Sequence, residues 1–178
     1  MSLPEQSGTK PPLETPEAIS PLVLAVDAGG TAVKVVLVDA AGRAEAEQAA
    51  EVETHHYADG RVERDADAFW QATARAIRTL LAAHDPARIR AIGCTGFGNG
   101  IFLVDADGRP TRPGIVSVDH RGQPLVDALM ASGGAAEIAR LNGHRPWGGQ
   151  TVVQLAHLAR AEPEVMARTR WGLACKDF

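Results

Sequence analysis

Asp27, Thr31 and Lys34 stand in one short stretch, Val26-Asp-Ala-Gly-Gly-Thr-Ala-Val-Lys34. A carboxylate, a hydroxyl and a cation are grouped there around a glycine pair. Gly29 and Gly30 allow positive φ and leave backbone N–H groups unshielded by side chains. A turn of free amides is an anion cradle. Asp27 at its entry can hold a divalent cation, directly or through water, and Lys34 can neutralise negative charge. Metal, amide cradle and charge neutralisation are the parts that phosphoryl transfer requires. The competing reading is a tight β-hairpin whose glycines serve geometry alone. Against it, an unpaired carboxylate at the end of a buried strand is costly. The stretch is not a P-loop: no Gly-Lys-Ser/Thr follows, and the segment after the turn is strand-like rather than helical.

Further along, Gly96-Phe-Gly-Asn-Gly100 crowds glycines around Gly98 and Asn99. Such a loop lets the backbone come close to a neighbouring strand or to a ligand. Its spacing misses the dinucleotide fingerprint. Ser117-Val-Asp-His-Arg121 places Asp119 and Arg121 at the end of an expected strand, where open α/β sheets often contact ligands. A local ion pair between the two is the alternative. Serine, aspartate and histidine this close together do not make a triad, which needs convergent geometry. Trp147 and Gly148 lie in a loop, Asn142 to Gly149. There the aromatic ring is either a platform for a sugar ring or carbon chain, or a lid on the core.

These groups need a scaffold. Apolar, β-branched runs at Leu22–Val26 and Val33–Val38 read as buried strands, with a weaker third strand at Glu45–Val52. His55 and His56 read as surface loop. Asp65 to His84 is the clearest helix, with Phe69, Trp70, Thr73, Ile77, Leu80 and Leu81 on one apolar face; Trp70 is expected in the core. Ile89–Thr95 reads as another buried strand, and Ile101–Val104 with Gly114–Val118 as a hairpin. Helices follow near Gln123–Met130 and Thr151–Arg160, with a short helical turn after Pro163. A strand at Trp171–Ala174 precedes a first helical turn at Lys176–Phe178. Stopping where an element begins suggests a fragment.

Met1 to Ser20, rich in proline and polar residues, reads as a disordered tail. The 178 residues suffice for one domain with a real core. A formal charge of −4 with scattered Lys and Arg gives no sign of a nucleic-acid partner, and no apolar run or leader pattern points to a membrane. Cys94 and Cys175, both in apolar surroundings, read as buried thiols in a reducing cytoplasm.

Taken in order, these motifs resemble the N-terminal domain of the FGGY carbohydrate kinases over about residues 22–178. The resemblance rests on the Asp27-to-Lys34 turn, Glu63-Arg-Asp65 before the Trp70 helix, the Gly93-to-Gly100 loop and Asp119-His-Arg121. It also rests on the series Asn142-Gly…Gly149-Gln-Thr151…Glu162-Pro163…Cys175-Lys-Asp177. It implies an α/β fold, actin-like (ribonuclease-H-like), with a mixed β-sheet flanked by helices, as the first of two such domains. It implies ATP- and Mg2+-dependent phosphorylation of a sugar or polyol hydroxyl. Asp27 would position the magnesium, Gly29, Gly30 and Thr31 would approach the β- and γ-phosphates, and Lys34 would neutralise the transferring group. Gly98, Asn99, Asp119, Arg121, Trp147 and Gly148 would face the substrate. Gly98-Asn99 is nearest the pairs of L-xylulose-kinase-like and erythritol-kinase-like members, which favours a small ketose or polyol.

The family's general-base aspartate and adenosine site fall beyond Phe178, so the chain alone is expected to be inactive or very slow. It would need a C-terminal kinase domain as partner. An apolar face left open for that domain would favour a homodimer. Two alternatives remain: another actin-like sugar kinase of the N-acetylhexosamine type, and a non-catalytic sugar-binding or regulatory module.

Overall fold

Alternation of side chains decides the main sheet. The computed structural model describes residues 20–178. In it β1 (Leu22–Ala28) turns Leu22, Leu24, Val26 and Ala28 inward, and β2 (Ala32–Asp39) turns Val33, Val35 and Leu37 to the same side. The two pair antiparallel, with Asp27 directly opposite Lys34. Asp39 closes the next turn by accepting from the amides of Ala41 and Arg43, which sends β3 (Ala44–Glu51) back along β2. A short strand β4 (His55–His56) then pairs with β5 (Val62–Arg64). The histidines are exposed, as a surface loop would leave them, but their backbone is strand-paired.

α1 (Ala66–Leu81) starts where Asp65 accepts from the Ala68 amide, and it lays Phe69, Ala72, Ala76 and Leu80 on the inner face of the sheet. Trp70 does not join that core: it is 58% exposed, because Phe69 takes the inward position and stacks on Phe102 and Phe178. After a 3₁₀ turn at Pro86–Arg88, β6 (Ile89–Gly96) adds to β1 in parallel, giving the mixed order β3-β2-β1-β6. The expected burial of this strand is corrected. Among the described residues β6 pairs only with β1 and forms the edge of the sheet, with Ile92 66% exposed and Cys94 also exposed. Its apolar run has the composition of a covered strand, but nothing among the described residues covers it. Cys175 is buried as expected.

The rest of the chain builds a second layer of small elements. β7 (Phe102–Val104) folds back through a turn at Asp105–Gly108, with a Val104–Pro110 bridge and the Thr111 amide donating to Leu103 O, as a hairpin would; the expected pairing with β8 (Gly114–Ile115), however, is reduced to an Ile101–Ile115 bridge. Pro110 and Pro113 supply no N–H to a ladder, and β8 instead pairs with β5. α2 (Gln123–Ala131), α3 (Gly134–Asn142), α4 (Thr151–Ala161) and α5 (Pro163–Arg168) follow. β9 (Trp171–Leu173) then pairs with β7. α3 has no counterpart in the sequence reading, since only Ile138 and Leu141 mark an apolar face behind two glycines. Ile101, Leu103, Ile115, Leu158 and Val165 form this layer's own core. The amides of Asp177 and Phe178 both bond the Ala174 carbonyl, a helical first turn as expected. The expected disordered tail lies, apart from Ser20, outside the described residues.

Candidate active site

The Gly29–Thr31 turn joins β1 to β2, and its carbonyls all have partners. Val52 donates its amide to the Thr31 oxygen at 3.3 Å. Arg64, fully buried at the end of β5, donates Nη1 to Gly29 O at 3.2 Å and Nη2 to Gly30 O at 2.5 Å. Among the described residues, the amides of Gly30 and Thr31 donate to no backbone or side-chain acceptor. The glycines are not there for positive φ, as the sequence reading had it; neither adopts it. At Gly29 the reason is contact: a Cβ would lie 2.7 Å from the Ala32 carbonyl oxygen. At Gly30 a Cβ would meet nothing within 4 Å.

Asp27 and Lys34 face the open side of the sheet, opposite α1. Their strands place them side by side, with Thr95 of β6 beside Asp27 on its other flank. The three border one shallow depression of about 280 Å³. Lys34 Nζ is held at 2.7 Å by Glu47, so its charge is engaged on β3 rather than with Asp27. Gly30 and Thr31 border a different cavity of about 420 Å³, shared with Thr54, Ser117 and Val118. The turn thus separates a carboxylate–ammonium side from a hydroxyl-rich side.

No group of three or more His, Cys, Asp or Glu side chains among the described residues could enclose a metal ion. A lone exposed carboxylate beside unpaired amides suits magnesium all the same, because that ion usually takes one or two protein carboxylates and completes its shell with water and phosphate oxygens.

The remaining candidates are stitched to this turn through the backbone. Phe97 donates its amide to Ala28 O at 3.2 Å, so the Gly98–Asn99 loop starts beside the turn. Asn99 has φ of 61° and Gly100 has φ of 70°. Gly100 is obligatory, since a Cβ there would lie 2.5 Å from Ile115 O. Thr151 Oγ1 donates to Gly100 O at 3.0 Å, which ties the Trp147–Gly148 loop to it. Trp147 is 39% exposed, and its ring lies against Gly149. Neither Asn99 nor Trp147 borders the cavity shared by Thr31 and Ser117.

Asp119 and Arg121 form the ion pair that the sequence reading held as the alternative to substrate contact, and both are buried. Asp119 Oδ2 accepts the Val62 amide at 2.6 Å and Arg121 Nη2 at 2.8 Å. Arg121 also donates to Glu63 Oε1 at 2.6 Å, which Arg112 shares at 2.5 Å. Arg112 Nε lies 3.0 Å from Glu162 Oε2 without forming a hydrogen bond. Gln154 Nε2 donates to Asp119 O and to Gly148 O. Burial raises the Asp119 carboxyl, but the Arg121 guanidinium and the Val62 and Arg121 amides more than offset this, so its pKa is lowered. Beside the network, burial and then the Arg121 charge lower the His157 pKa.

Sequence reasoning gave no role to Arg64, Glu63, Arg112, Gln154 or Ser117. For Glu63 and Arg64 the available signal was their place in the Glu63-Arg-Asp65 stretch ahead of the Trp70 helix, which carried part of the resemblance but no role.

Residues 22–178 match the FGGY family of carbohydrate kinases, N-terminal domain. This chain belongs to the FGGY family. It is 33% identical over 157 residues to a "Probable L-xylulose kinase" of Pasteurella multocida, covering 87% of this chain and 32% of that protein. It is 34% identical over 163 residues to an "Erythritol kinase" of Brucella abortus, covering 88% and 31%. The solved structure of a "xyloylose kinase" from Brucella ovis superposes with a TM-score of 0.79 at 31% identity, over 88% of this chain and 32% of that one. The FGGY chain therefore spans about a third of the length of these relatives. Its mixed sheet with flanking helices is the fold of the actin-like sugar kinases. Among its described residues, no helix is long and apolar enough to cross a membrane.

Proposed function

We propose that this chain grips phosphate and sugar as the first domain of a cytoplasmic kinase that uses ATP and Mg2+ to phosphorylate a hydroxyl of a small ketose or polyol. The observation that carries the reading is the placement of Asp27 opposite Lys34 across β1 and β2, with the turn that joins these strands keeping its Gly30 and Thr31 amides unpaired among the described residues. Asp27 would hold magnesium, whose chemistry is to neutralise charge on the phosphates. The Gly30 and Thr31 amides and the Thr31 hydroxyl would bind phosphate oxygens. Lys34, released from Glu47, would neutralise the transferring group.

The substrate side in this reading is the cavity between Thr31 and Ser117, with the Gly98–Asn99 and Trp147–Gly148 loops, which do not border it in this structure, reaching the substrate from beside it. Asn99, neutral and able both to donate and to accept, suits hydroxyls rather than a carboxylate. Asp119 and Arg121 would serve the same side by fixing the chain around Ser117 and Gly148. The names of the L-xylulose and erythritol kinases support a small ketose or tetritol. The reading assigns the base and most of the adenosine contacts to a second domain, which closes on this one.

The test is a coupled ADP-release assay of the full-length protein with ketopentoses, tetritols, pentitols, glycerol and aldonates, repeated with Asp27→Ala. Turnover on one substrate class, reduced at least ~100-fold by the substitution, is the expected result. Absence of turnover with sugar binding still detectable by thermal shift would move the chain to the binding-module reading.

A further inference from the structure

Arg64 is a fully buried cation with no carboxylate partner among the described residues. Its partners are neutral oxygens: Gly29 O at 3.2 Å, Gly30 O at 2.5 Å and Thr54 Oγ1 at 2.9 Å. Its Nε has no partner among the described residues. The guanidinium also lies 5.2 Å from the Phe69 ring centroid and 5.7 Å from that of Phe97, so two aromatic faces set its plane. An isolated buried charge is expensive, and a neutral side chain would leave this part of the core less burdened.

The geometry points to what the charge does. We propose that Arg64 is a positioning residue that draws the Gly29 and Gly30 carbonyls inward and thereby aims the Gly30 and Thr31 amides outward as the phosphate cradle. The peptide bond is planar, and its N–H points opposite to its C=O when the bond is trans; no cis bond occurs among the described residues. A fork that grips successive carbonyl oxygens from beneath therefore turns the next two N–H groups to the other side. Hydrogen bonding to the carbonyl also polarises the peptide, which makes each of those N–H groups a stronger donor. The uncompensated charge behind the turn adds positive potential where an anion would sit. Arg64 does not touch the phosphate; it acts through the turn. Its contact with Phe97 links the same fork to the loop that carries Gly98 and Asn99.

A phosphate occupant rests on the kinase reading; the orientation of the peptides does not. The test uses the chain Met1–Phe178, isotope-labelled, as wild type, Arg64→Met and Arg64→Lys. Residual dipolar couplings report the N–H directions of Gly30 and Thr31, and a titration with inorganic tripolyphosphate reports the cradle. Arg64→Met should change both couplings, leave those of β1 and α1 unchanged, and weaken tripolyphosphate at least tenfold. Added guanidinium should restore part of the loss. Arg64→Lys keeps the charge but not the fork, so it should disturb one of the two amides more than the other, and it decides the matter if the Met variant does not fold. Unchanged Gly30 and Thr31 couplings in the folded variants would overturn the proposal, even if tripolyphosphate binding fell. Changed couplings in a chain whose wild type ignores tripolyphosphate would uphold the positioning role and remove the kinase reading.

Discussion

Gly29 and Gly30 look alike in the sequence and differ in what they can lose. A methyl at Gly29 meets a backbone oxygen at 2.7 Å, whereas one at Gly30 points into open space. Gly29→Ala should therefore destabilise by ~1–3 kcal/mol, and Gly30→Ala should stay within about 0.5 kcal/mol of wild type. On the proposed kinase reading, Gly30→Ala in the full-length protein should instead raise KM for ATP, since its methyl stands on the open side of the turn. Thermal melts and the ADP-release assay separate the two, and a large loss of stability in Gly30→Ala would contradict this division of roles. The glycine pair as a turn between two strands was legible from composition and spacing. Which glycine packs and which is approached was not, because that depends on where the Ala32 carbonyl falls. The cysteines carry the same lesson. Cys175 is buried and its thiol pKa is raised to about 11, chiefly by burial; Cys94 is exposed on the edge strand. A disulfide reagent at pH 8 should titrate one thiol quickly, with the fast phase absent in Cys94→Ser, and reach Cys175 only after unfolding.

Strands β1, β2 and β6 and helices α1, α2 and α4 could be read directly, because each carries an apolar periodicity of its own. β4, β5, β7 and β8 are two or three residues long, too short for any period, and their pairing is decided by partners far off in the chain. The buried network of Glu63, Arg112, Asp119 and Arg121 ties β5 to the chain on either side of β8. It brings β5, the segment before β8 and the Ser117–Arg121 turn into one unit, and Gln154 extends it to α4. Removing one member leaves a buried charge unpaired, so Asp119→Asn should cost ~3–5 kcal/mol at neutral pH. The lowered Asp119 pKa fixes the sign of the pH dependence. Its contribution is complete above the unfolded value of about 3.9 and is lost as pH falls through the lower native value. The wild-type curve should thus lose stability below about pH 4, and Asp119→Asn should flatten that limb. Denaturant melts from pH 2 to 7 measure it; an acid limb unchanged by the substitution would place the proton-linked loss elsewhere.

At the scale of the molecule, the main sheet is finished on one face only. α1 covers the side bearing Leu24, Val33, Val35 and Leu37, but on that same side Ile92, aligned with Leu24 on the edge strand, is left exposed, as is Trp70 near the start of α1; the opposite side shows Val23 to solvent. Among the described residues β6 is also an open edge: its backbone is paired on one flank alone. An exposed edge strand with apolar side chains is a template for pairing with another chain. The sequence pattern marked β6 correctly as a strand and wrongly as buried, because periodicity records the cover a strand is suited to, not the cover present. The same two features, edge and apolar face, predict that the isolated chain associates as its concentration rises. Ile92→Lys puts a charge on the edge, the device by which natural sheets discourage such pairing. Ile92 is already 66% exposed, so the substitution removes little packing and should leave the thermal midpoint nearly unchanged. Sedimentation velocity should then show wild type shifting to larger species with concentration and Ile92→Lys remaining monomeric. If both associate equally, contact runs through another surface, and the β6 edge is not what drives it.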